Sequence, residues 1–330
     1  MAVLVTGGAG YIGSHMVLRL CDAGEKVVVL DNLVTGFDWA VDPRATFVLG
    51  NAGDMELVGR LIAEHDIREI IHFAGSIVVP ESVSNPLKYY GNNTATSRNL
   101  IEAAVRGGVK HIVFSSTAAV YGMAGLGPVS EDNPLNPLSP YGRSKLMTEM
   151  MLADVAAAHP LTYGVLRYFN VAGADPKKRS GQSTPLATHL IKVASQAALG
   201  QRDHVGIFGT DFPTPDGTGV RDYIHVTDLV EAHALLLGHL RGGGASTVCN
   251  CGYGKGYSVR QVIDMVHQVS GVDFKVLEQP RRAGDPASIV AKADRVRDLL
   301  GWQPQHADLE EIVTAAYEWE KYLMTRNRQG

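Results

Sequence analysis

Short runs of aliphatic and β-branched residues alternate with helical stretches in the first half of the sequence, and this alternation restricts the fold more than any other feature. It predicts an α/β fold with a doubly wound parallel sheet, because parallel neighbours need a helical crossover between them. Ligands of such sheets bind beyond the carboxyl ends of the strands. The predicted helices cover about 11–23, 54–65, 92–106 and 141–158. The predicted strands are Ala2–Thr6, Lys26–Leu30, Thr46–Leu49, Glu69–Phe73, His111–Ser115 and Thr162–Tyr168.

The second half is less regular, and we expect it to form a smaller C-terminal α/β lobe. A chain of 330 residues is long enough for one large domain or two joined ones. We therefore divide it into residues 1–170, which carry the main sheet, and residues 171–330, which are mainly a substrate lobe. The strand Thr247–Asn250 is also compatible with the main sheet. Two helix starts in this lobe are predicted by capping boxes, Ser258 with Gln261 and Asp308 with Glu311.

A glycine-rich turn links the first predicted strand to the first helix. Gly7, Gly10 and Gly13 permit a tight turn and let the backbone approach a pyrophosphate at the helix N-terminus. Asp31 follows 18 residues after Gly13, at the end of the second strand. A carboxylate there binds the ribose hydroxyls of an adenosine and repels a 2′-phosphate. Strand, turn, helix and acid together predict a Rossmann-type dinucleotide site that prefers NAD to NADP.

A tyrosine and a lysine four residues apart follow a predicted helix start at Ser139-Pro140. Tyr141 and Lys145 lie one turn apart on the same face of this helix. A nearby ammonium favours the phenolate form of a tyrosine, whose ordinary pKa of about 10 makes it a poor base at neutral pH. The hydroxyl residues 115–117 end a strand where a nicotinamide would lie, although such residues are also common turn formers. The pattern predicts a tyrosine base that faces a nicotinamide.

Composition and charge argue against several classes of protein. The formal net charge is −4, so no nucleic-acid or acidic-membrane surface is expected. The N-terminus enters a strand without a basic leader, and no apolar run approaches the ~18 residues of a membrane span. Cys21, Cys249 and Cys251 have neither disulfide nor zinc-site spacing. We therefore expect reduced thiols, no metal and a cytoplasmic location.

Ten motifs, which include the glycine turn and the Tyr141 segment, extend over the whole chain, and with them the sequence resembles the extended short-chain dehydrogenase/reductases. Within that family it is similar to the NAD-dependent UDP-glucose 4-epimerases. The last two motifs below, at 207–229 and 280–287, are much more specific than the glycine turn. The motifs are TGGAGYIG (6–13), LDN (30–32), HFAG (72–75), PES (80–82), YYGNN (89–93), FSSTAAVYG (114–122), SPYGRSKLMTE (139–149), LRYFNVAGA (166–174), IFGTDFPTPDGTGVRDYIHVTDL (207–229) and PRRAGDPA (280–287).

The resemblance implies a reaction and three catalytic residues. The expected reaction is the reversible C4 epimerisation of UDP-galactose and UDP-glucose through a 4-keto intermediate, with tightly bound NAD. By position, Tyr141 is the acid and base, and Lys145 holds the nicotinamide ribose and lowers the tyrosine pKa. Thr117 is expected to hydrogen-bond the sugar 4-hydroxyl and to pass its proton to Tyr141. The sequence thereby assigns a specific proton to the tyrosine.

The resemblance also carries over binding positions residue by residue. The expected cofactor-binding residues are Gly7, Gly10, Tyr11, Ile12, Gly13, Asp31, Asn32, Asn51, Phe73, Ala74, Gly75, Asn92, Ser115, Tyr141, Lys145 and Tyr168. The expected substrate-binding residues are Thr117, Tyr141, Asn170, His189, Leu190, Phe208, Arg221, Val259, Arg282, Asp285 and Ile289.

The arginines in this set suit a nucleotide sugar. Arg221 and Arg282 offer forked donors that match the adjacent charges of a diphosphate. A surface salt bridge is the more common role of an arginine, and this alternative stays open. Asp285 is expected either to bind the uridine ribose or to cap a turn, and Phe208 either to line the site or to fill the core.

Some positions depart from the common family pattern. Asn51 stands where many members have an aspartate near adenine, and Ile77 replaces a lysine near the cofactor phosphate. His189 replaces an asparagine that contacts UDP, so its role is left open. Ile289 falls at the position that sets the size of the sugar pocket. A bulky side chain there predicts poor acceptance of N-acetylated sugars.

Three alternative functions compete with this one. A nucleotide-sugar 4,6-dehydratase needs an acid and a base directly after the threonine, and Ala118-Ala119 stand there instead. An epimerase of another UDP-sugar, such as UDP-arabinose, UDP-xylose or a UDP-uronic acid, stays open because Tyr141 and Lys145 would act identically on it. A non-catalytic NAD-binding regulator is less expected, since it has little need of the tyrosine, lysine and threonine together.

The stretch Lys145–Ala158 has few polar residues, so as a helix it needs cover on more than one side. Burial within the monomer is one explanation. The family that the sequence resembles uses this helix in a homodimer, and we therefore expect a homodimer.

Overall fold

The computed structural model describes residues 1–184, 187–282 and 284–326. Its strands, numbered along the chain, are β1 (Ala2–Thr6), β2 (Val27–Asp31), β3 (Thr46–Leu49), β4 (Ile67–His72), β5 (His111–Ser115), β6 (Thr162–Tyr168), β7 (Asn170–Ala172), β8 (Val205–Phe208), β9 (Val220–His225), β10 (Thr247–Cys251), β11 (Gly256–Ser258), β12 (Val276–Gln279) and β13 (Ser288–Ile289). Its helices are α1 (Tyr11–Asp22), α2 (Met55–His65), α3 (Val79–Ser84), α4 (Pro86–Tyr89), α5 (Thr96–Arg106), α6 (Pro140–Ala158), α7 (Leu190–Ala198), α8 (Val226–Arg241), α9 (Val259–Ser270), α10 (Asp294–Leu300) and α11 (Leu309–Arg326).

A parallel sheet runs through the molecule in the order β10-β6-β5-β4-β1-β2-β3, with seven strands in the described residues. Alternate residues of β1 point to opposite faces. Val3 and Val5 pack with the apolar residues of α1 and α8, whereas Leu4 packs with those of α2, α5 and α6. Both faces are therefore covered, which explains why the strands are almost entirely apolar. The predicted doubly wound fold is confirmed.

The observed helix before β5 starts later than the sequence pattern predicts. A helix from 92 was expected, but Tyr90–Ala95 form a widened, π-helical turn between α4 and α5. Asn93 lies in this turn, where its side chain accepts from the Ser76 amide at 2.7 Å and donates to Ser144 Oγ at 2.9 Å. Such widened turns are often found at functional sites because they re-aim side chains. The turn faces the open edge of the sheet.

The second half contributes to two layers. β10 pairs in parallel with β6, so the strand predicted at 247–250 returns to the main sheet. α8 lies against α1 in the layer that covers that sheet. A smaller four-stranded sheet contains β7, β9, β11 and β13, and β8 pairs with β12.

Ser258 and Gln261 form the predicted capping box at α9. At α11, Asp308 accepts from the amide of Glu311 at 3.1 Å, but the Glu311 carboxylate turns to His306 instead of closing the box.

Within the described residues, no helix has the length and hydropathy that a membrane span needs. The same residues contain no group of three or more His, Cys, Asp or Glu side chains arranged to hold a metal ion. Cys21, Cys249 and Cys251 are buried free thiols.

Four buried histidines make an acid-sensitive fold our first testable prediction. Burial lowers the pKa of His15 and His233 to about 4 and that of His72 and His225 to about 3. All four are neutral in the folded protein, whereas an unfolded chain takes up protons below pH 6.5. The stability is therefore present above pH 6.5 and is lost as the pH falls toward 4. The free energy of unfolding is expected to fall by about 5.6 kcal/mol between pH 8 and pH 5.5, at roughly 1.4 kcal/mol per histidine.

Urea denaturation at these two pH values measures the loss. His233→Gln removes one of the four groups and should reduce the pH-dependent loss by about a quarter. His159→Gln changes an exposed histidine and serves as the control, with a pH dependence equal to that of the parent. Equal unfolding free energies at pH 8 and pH 5.5 would contradict the prediction.

Candidate active site

A large cleft of about 1420 Å³ opens at the carboxyl edge of the main sheet, between that sheet and the elements of the second half. It exceeds the roughly 300–1,000 Å³ of a pocket for one small molecule, so it has room for two ligands side by side. With two exceptions, every residue predicted above to bind cofactor or substrate lines this cleft. The exceptions are Ser115 and Lys145, which are buried behind its wall.

The glycine turn has a shape that side chains would prevent. Gly7 has a φ of +73°, and a Cβ there would lie 2.6 Å from the backbone nitrogen of Ala74. A Cβ on Gly13 would lie 2.1 Å from the carbonyl oxygen of Gly7. Gly10 begins α1 without a side-chain cap, so within the described residues the first amides of the helix have no acceptor. Free amides and the positive end of the helix dipole form an anion site.

Asp31 connects this turn to the end of β2. One carboxylate oxygen accepts from the amide of Ala9 at 3.0 Å, and the other accepts from the amide of Leu33 at 2.8 Å. Asn32 and Asn51 lie at the neighbouring strand ends, where their side-chain oxygens also hold backbone turns. The three polar residues therefore stand in fixed positions along the part of the cleft that extends from the anion site.

The helix that carries the tyrosine and lysine begins as predicted. Ser139 Oγ accepts from the amide of Gly142 at 3.2 Å, and Pro140 is the first residue of α6. This start places Tyr141 in the first turn, where it lines the cleft and is 7% exposed. Lys145 lies one turn further and donates from Nζ to the carbonyl oxygen of Ser115 at 3.0 Å. The lysine thereby joins α6 to the end of β5.

Burial dominates the proton affinities of this pair. It raises the pKa of the Tyr141 phenol, and the neighbouring Thr117 hydroxyl opposes that rise. It also lowers the pKa of Lys145 to about 8, against the effect of the Glu149 carboxylate. The sequence led us to expect that Lys145 would lower the tyrosine pKa. The net pKa of Tyr141 is raised, because removing water disfavours the phenolate more than its neighbours favour it.

The other predicted residues of the main sheet gather around this pair. Thr117 follows β5 and accepts from the amide of Ala119 at 3.1 Å, which leaves its own proton free to be donated. The Tyr168 hydroxyl lies 2.7 Å from Ser115 Oγ. Phe73, Ala74, Gly75 and Asn92 complete this wall of the cleft.

The facing wall contains a half-buried cation that forms no salt bridge within the described residues. Arg221 on β9 donates to the carbonyl oxygen of Val220 at 2.8 Å, and it forms no salt bridge with any described residue. Burial lowers the pKa of this arginine. The Asp285 carboxylate opposes this lowering without cancelling it, so the arrangement suits an anionic ligand better than a structural salt bridge.

Arg282 is more exposed and already has partners. Its Nε lies 2.9 Å from Asp285, and its guanidinium lies 4.7 Å from the centre of the Phe208 ring. Phe208 is 38% exposed, so it is a surface of the cleft and not a core residue. Asp285 therefore neutralises Arg282 at the rim.

The remaining predicted substrate residues form the pocket between the two walls. His189 Nδ1 lies 3.3 Å from Gln182 Nε2, and burial lowers the pKa of the ring, which is therefore neutral. Ile289 is 8% exposed and stands beside Arg221 in the register of β13 with β9. The other lining residues in this part are Asn170, Leu190 and Val259.

Two residues behind the site escaped the sequence analysis. Glu149 and Arg167 form a buried ion pair at 2.6 Å, directly behind the strand ends that carry the site. Their spacing offered a signal, since Glu149 is one helical turn after Lys145 and Arg167 precedes Tyr168. The pairing itself joins a helix to a strand and has no local pattern.

Comparison with known proteins extends over both halves of the chain. Residues 3–252 match the family model described as the NAD dependent epimerase/dehydratase family. A UDP-glucose 4-epimerase of Azospirillum brasilense is 56% identical over 321 residues, which are 97% of this chain and 92% of the relative. A crystal structure of UDP-glucose 4-epimerase from Brucella ovis in complex with NAD matches with a TM-score of 0.93 and 41% identity, over 96% of this chain and 97% of that one. The UDP-glucose 4-epimerase from Bifidobacterium longum in complex with NAD+ and UDP matches with a TM-score of 0.92 and 36% identity, over 98% of each chain.

Proposed function

Because the chain belongs to the NAD dependent epimerase/dehydratase family, we propose that it interconverts UDP-galactose and UDP-glucose at C4 through a 4-keto intermediate, with tightly bound NAD. One observation carries this proposal. A buried tyrosine, a glycine turn with free amides and a half-buried arginine, Arg221, which has no salt bridge among the described residues, all face one cleft. The dehydratase is not favoured, because the positions after Thr117 are the alanines of a short helical turn.

The residues present fit NAD. Gly7 and Gly13 leave a cradle that a Cβ would fill, and the first amides of α1 are free for a pyrophosphate. Asp31 lines the cleft where ribose hydroxyls would be held. We propose that residues 1–170 mainly hold this cofactor and residues 171–330 mainly hold the UDP-sugar, with α8 and β10 returning to the main sheet. When bound, NAD supplies the hydride acceptor and donor for C4 of the sugar.

The chain supplies the proton transfer and the grip on the substrate. Tyr141 takes the 4-hydroxyl proton, directly or through Thr117, and returns it when the new 4-hydroxyl forms. Lys145 as an ammonium binds the nicotinamide ribose and opposes the rise in the tyrosine pKa that burial causes. Arg221 and Arg282 hold the diphosphate while the flat 4-keto sugar presents its opposite face. Strong binding of UDP and loose binding of the sugar are both required for this rotation of the sugar.

The reaction is tested without added cofactor. The purified protein is incubated with UDP-galactose alone, and the sugar is followed by NMR. Formation of UDP-glucose would support both the reaction and the retention of NAD. A parallel incubation with UDP-arabinose separates the hexose epimerase from the alternative pentose epimerase. Absence of turnover of either sugar by folded, NAD-loaded protein would contradict the proposal and favour the non-catalytic regulator.

A second prediction concerns the size of the sugar pocket. Ile289 is buried at the cleft wall beside Arg221, so we expect UDP-N-acetylglucosamine to be a poor substrate. Ile289→Ala should raise kcat/KM for this sugar relative to UDP-glucose by about 10-fold or more, the effect of removing steric exclusion from an apolar pocket. Val290→Ala is the control, since the Val290 side chain lies beside Gly256 and does not line the cleft. Equal kcat/KM for both sugars in the parent protein would contradict the prediction.

We further propose a homodimer through α6. Met147 and Met150 are 41% and 60% exposed on this helix, which gives it an apolar strip outside the monomer core. Such strips are commonly covered by another subunit. Light scattering at micromolar concentration should give twice the chain mass of 35.4 kDa. A monomeric mass there would rule the dimer out.

A cytoplasmic location is also proposed. Its support is the state of Cys21, Cys249 and Cys251, which are free thiols in the structure, as is usual in a reducing compartment. Cell fractionation followed by detection of the protein tests it, and recovery outside the cytoplasmic fraction would contradict it.

A further inference from the structure

A buried charge cluster lies behind the candidate active site and does not line the cleft. Arg167 donates from Nε to both oxygens of Glu149 at 3.1 Å, and from Nη2 to Oε2 at 2.6 Å. Both side chains are 6% exposed. The Ser116 hydroxyl donates to Oε1 of the same carboxylate, and Arg167 Nη1 donates to the Tyr121 hydroxyl at 3.0 Å. All the strong donors around this carboxylate are thus satisfied.

The cluster joins the three segments that carry the chemistry. Glu149 lies on α6, one turn after Lys145. Ser116 stands between Ser115, whose carbonyl accepts from Lys145 Nζ, and Thr117. Arg167 comes directly before the last residue of β6, whose hydroxyl contacts Ser115 Oγ. A shift of the carboxylate would therefore move the end of β5 relative to α6.

Stability alone is a weak reason for such a cluster. The desolvation of two buried charges often cancels their attraction, so an apolar pair of similar volume would serve the fold equally well. The cluster is placed one turn from a lysine that is itself only 3% exposed. A buried ammonium needs an opposite charge nearby if it is to keep its proton.

We propose that Glu149 is a positioning residue for the reaction, which fixes the end of β5 against α6 and provides the buried negative charge that keeps Lys145 an ammonium. This rests on the proposed function, because it assigns the lysine to that reaction. The effect passes through Lys145 and Ser116, since the carboxylate does not line the cleft.

The groups that face Lys145 from each packed element support this assignment. His72 on β4 is neutral, because burial lowers its pKa to about 3. Tyr141 on α6 and Tyr168 on β6 are also neutral, because burial raises the pKa of both. Burial lowers the pKa of Lys145 to about 8, and the Glu149 carboxylate limits this lowering. Without the carboxylate this pKa falls further, so the lysine loses its proton at a lower pH.

The test is the pH profile of Glu149→Gln between pH 6 and 9.5, with UDP-galactose as substrate. The alkaline limb of kcat should move down by about one pH unit or more, so kcat falls about 10-fold at pH 8.5 and much less at pH 6.5. KM should change less than about 3-fold, because the arginines that hold UDP are not touched. Glu149→Asp keeps the charge and should keep the limb within a few tenths of a unit of the parent. Asp228→Asn removes another buried, hydrogen-bonded carboxylate, which Tyr253 contacts at 2.6 Å, and should leave the limb unmoved.

A second measurement separates the inference from the reaction. The pH dependence of NAD retention after dialysis reports the lysine charge without any turnover, and in Glu149→Gln retention should weaken at a lower pH than in the parent. If the single variant does not fold, Glu149→Gln with Arg167→Met removes both charges and is measured instead. A uniform loss of kcat at every pH with unchanged NAD retention would reduce Glu149 to a structural role and overturn the proposal. Failure of the parent to epimerise would contradict the proposed function and leave the retention test standing.

Discussion

Tyr141→Phe is expected to lower kcat for UDP-galactose by about 10³-fold, within the range that general acid–base catalysis contributes. A phenyl ring cannot take the 4-hydroxyl proton or return it. The ring itself should stay in place, since its contact with Tyr89 is an edge-to-face packing at 6.4 Å between centroids. The Thr117 hydroxyl, which faces the Tyr141 phenol, is also held by the amide of Ala119. The variant should therefore fold and retain NAD while losing turnover.

The design isolates the hydroxyl group. Turnover is measured by NMR under saturating UDP-galactose, and bound NAD is measured after the protein is denatured. Tyr322→Phe removes the same atom from a tyrosine that is 38% exposed on α11, and it should keep the kcat of the parent. Turnover of Tyr141→Phe within a factor of a few of the parent would remove the central assignment of this site.

The surroundings of the Tyr141 phenol also determine when it can act as a base. Burial raises the pKa of Tyr141, so the phenol is protonated at neutral pH. A positively charged nicotinamide beside it would favour the phenolate by the same electrostatic rule that an ammonium follows. We therefore expect bound NAD to assist the proton transfer at Tyr141.

The main sheet was predictable because its strands carry a local signal. β1 and β5 begin and end where their apolar runs do, and the glycine turn after β1 could be placed because only glycine fits beside Ala74. The helix start at Ser139 was predictable for the same reason, since capping is a contact between residues three apart. Local chemistry therefore determined the parts of the site that lie at strand ends and helix starts.

The features that were missed depend on distant contacts. The widened turn that contains Asn93 has side-chain partners 17 and 51 residues away. The ion pair of Glu149 with Arg167 joins a helix to a strand, and the direction of the Tyr141 pKa depends on how much water the whole cleft excludes. Periodicity and spacing contain no information on these contacts. Family resemblance supplied the residues of the UDP wall but not the difference between its two arginines.

Arg221→Met is expected to weaken UDP binding by about 100-fold, which corresponds to the loss of one or two charge-assisted hydrogen bonds. The same change should stabilise the protein without UDP, because the desolvation of this half-buried cation outweighs the attraction of Asp285. Arg282→Met is the matched variant, since its guanidinium is 46% exposed and already paired with Asp285. Its effect on UDP binding should be smaller, about 10-fold or less.

Calorimetry with UDP and thermal unfolding without ligand measure the two effects of Arg221→Met together. The expected changes are weaker UDP binding and higher stability. Loss of a residue that only supports the fold would instead lower both stability and affinity. An anchor for a diphosphate is destabilising until the anion arrives, and it then receives its countercharge from the ligand. Weaker binding combined with a lower melting temperature would assign Arg221 to the fold, and unchanged binding would move the UDP site away from β9.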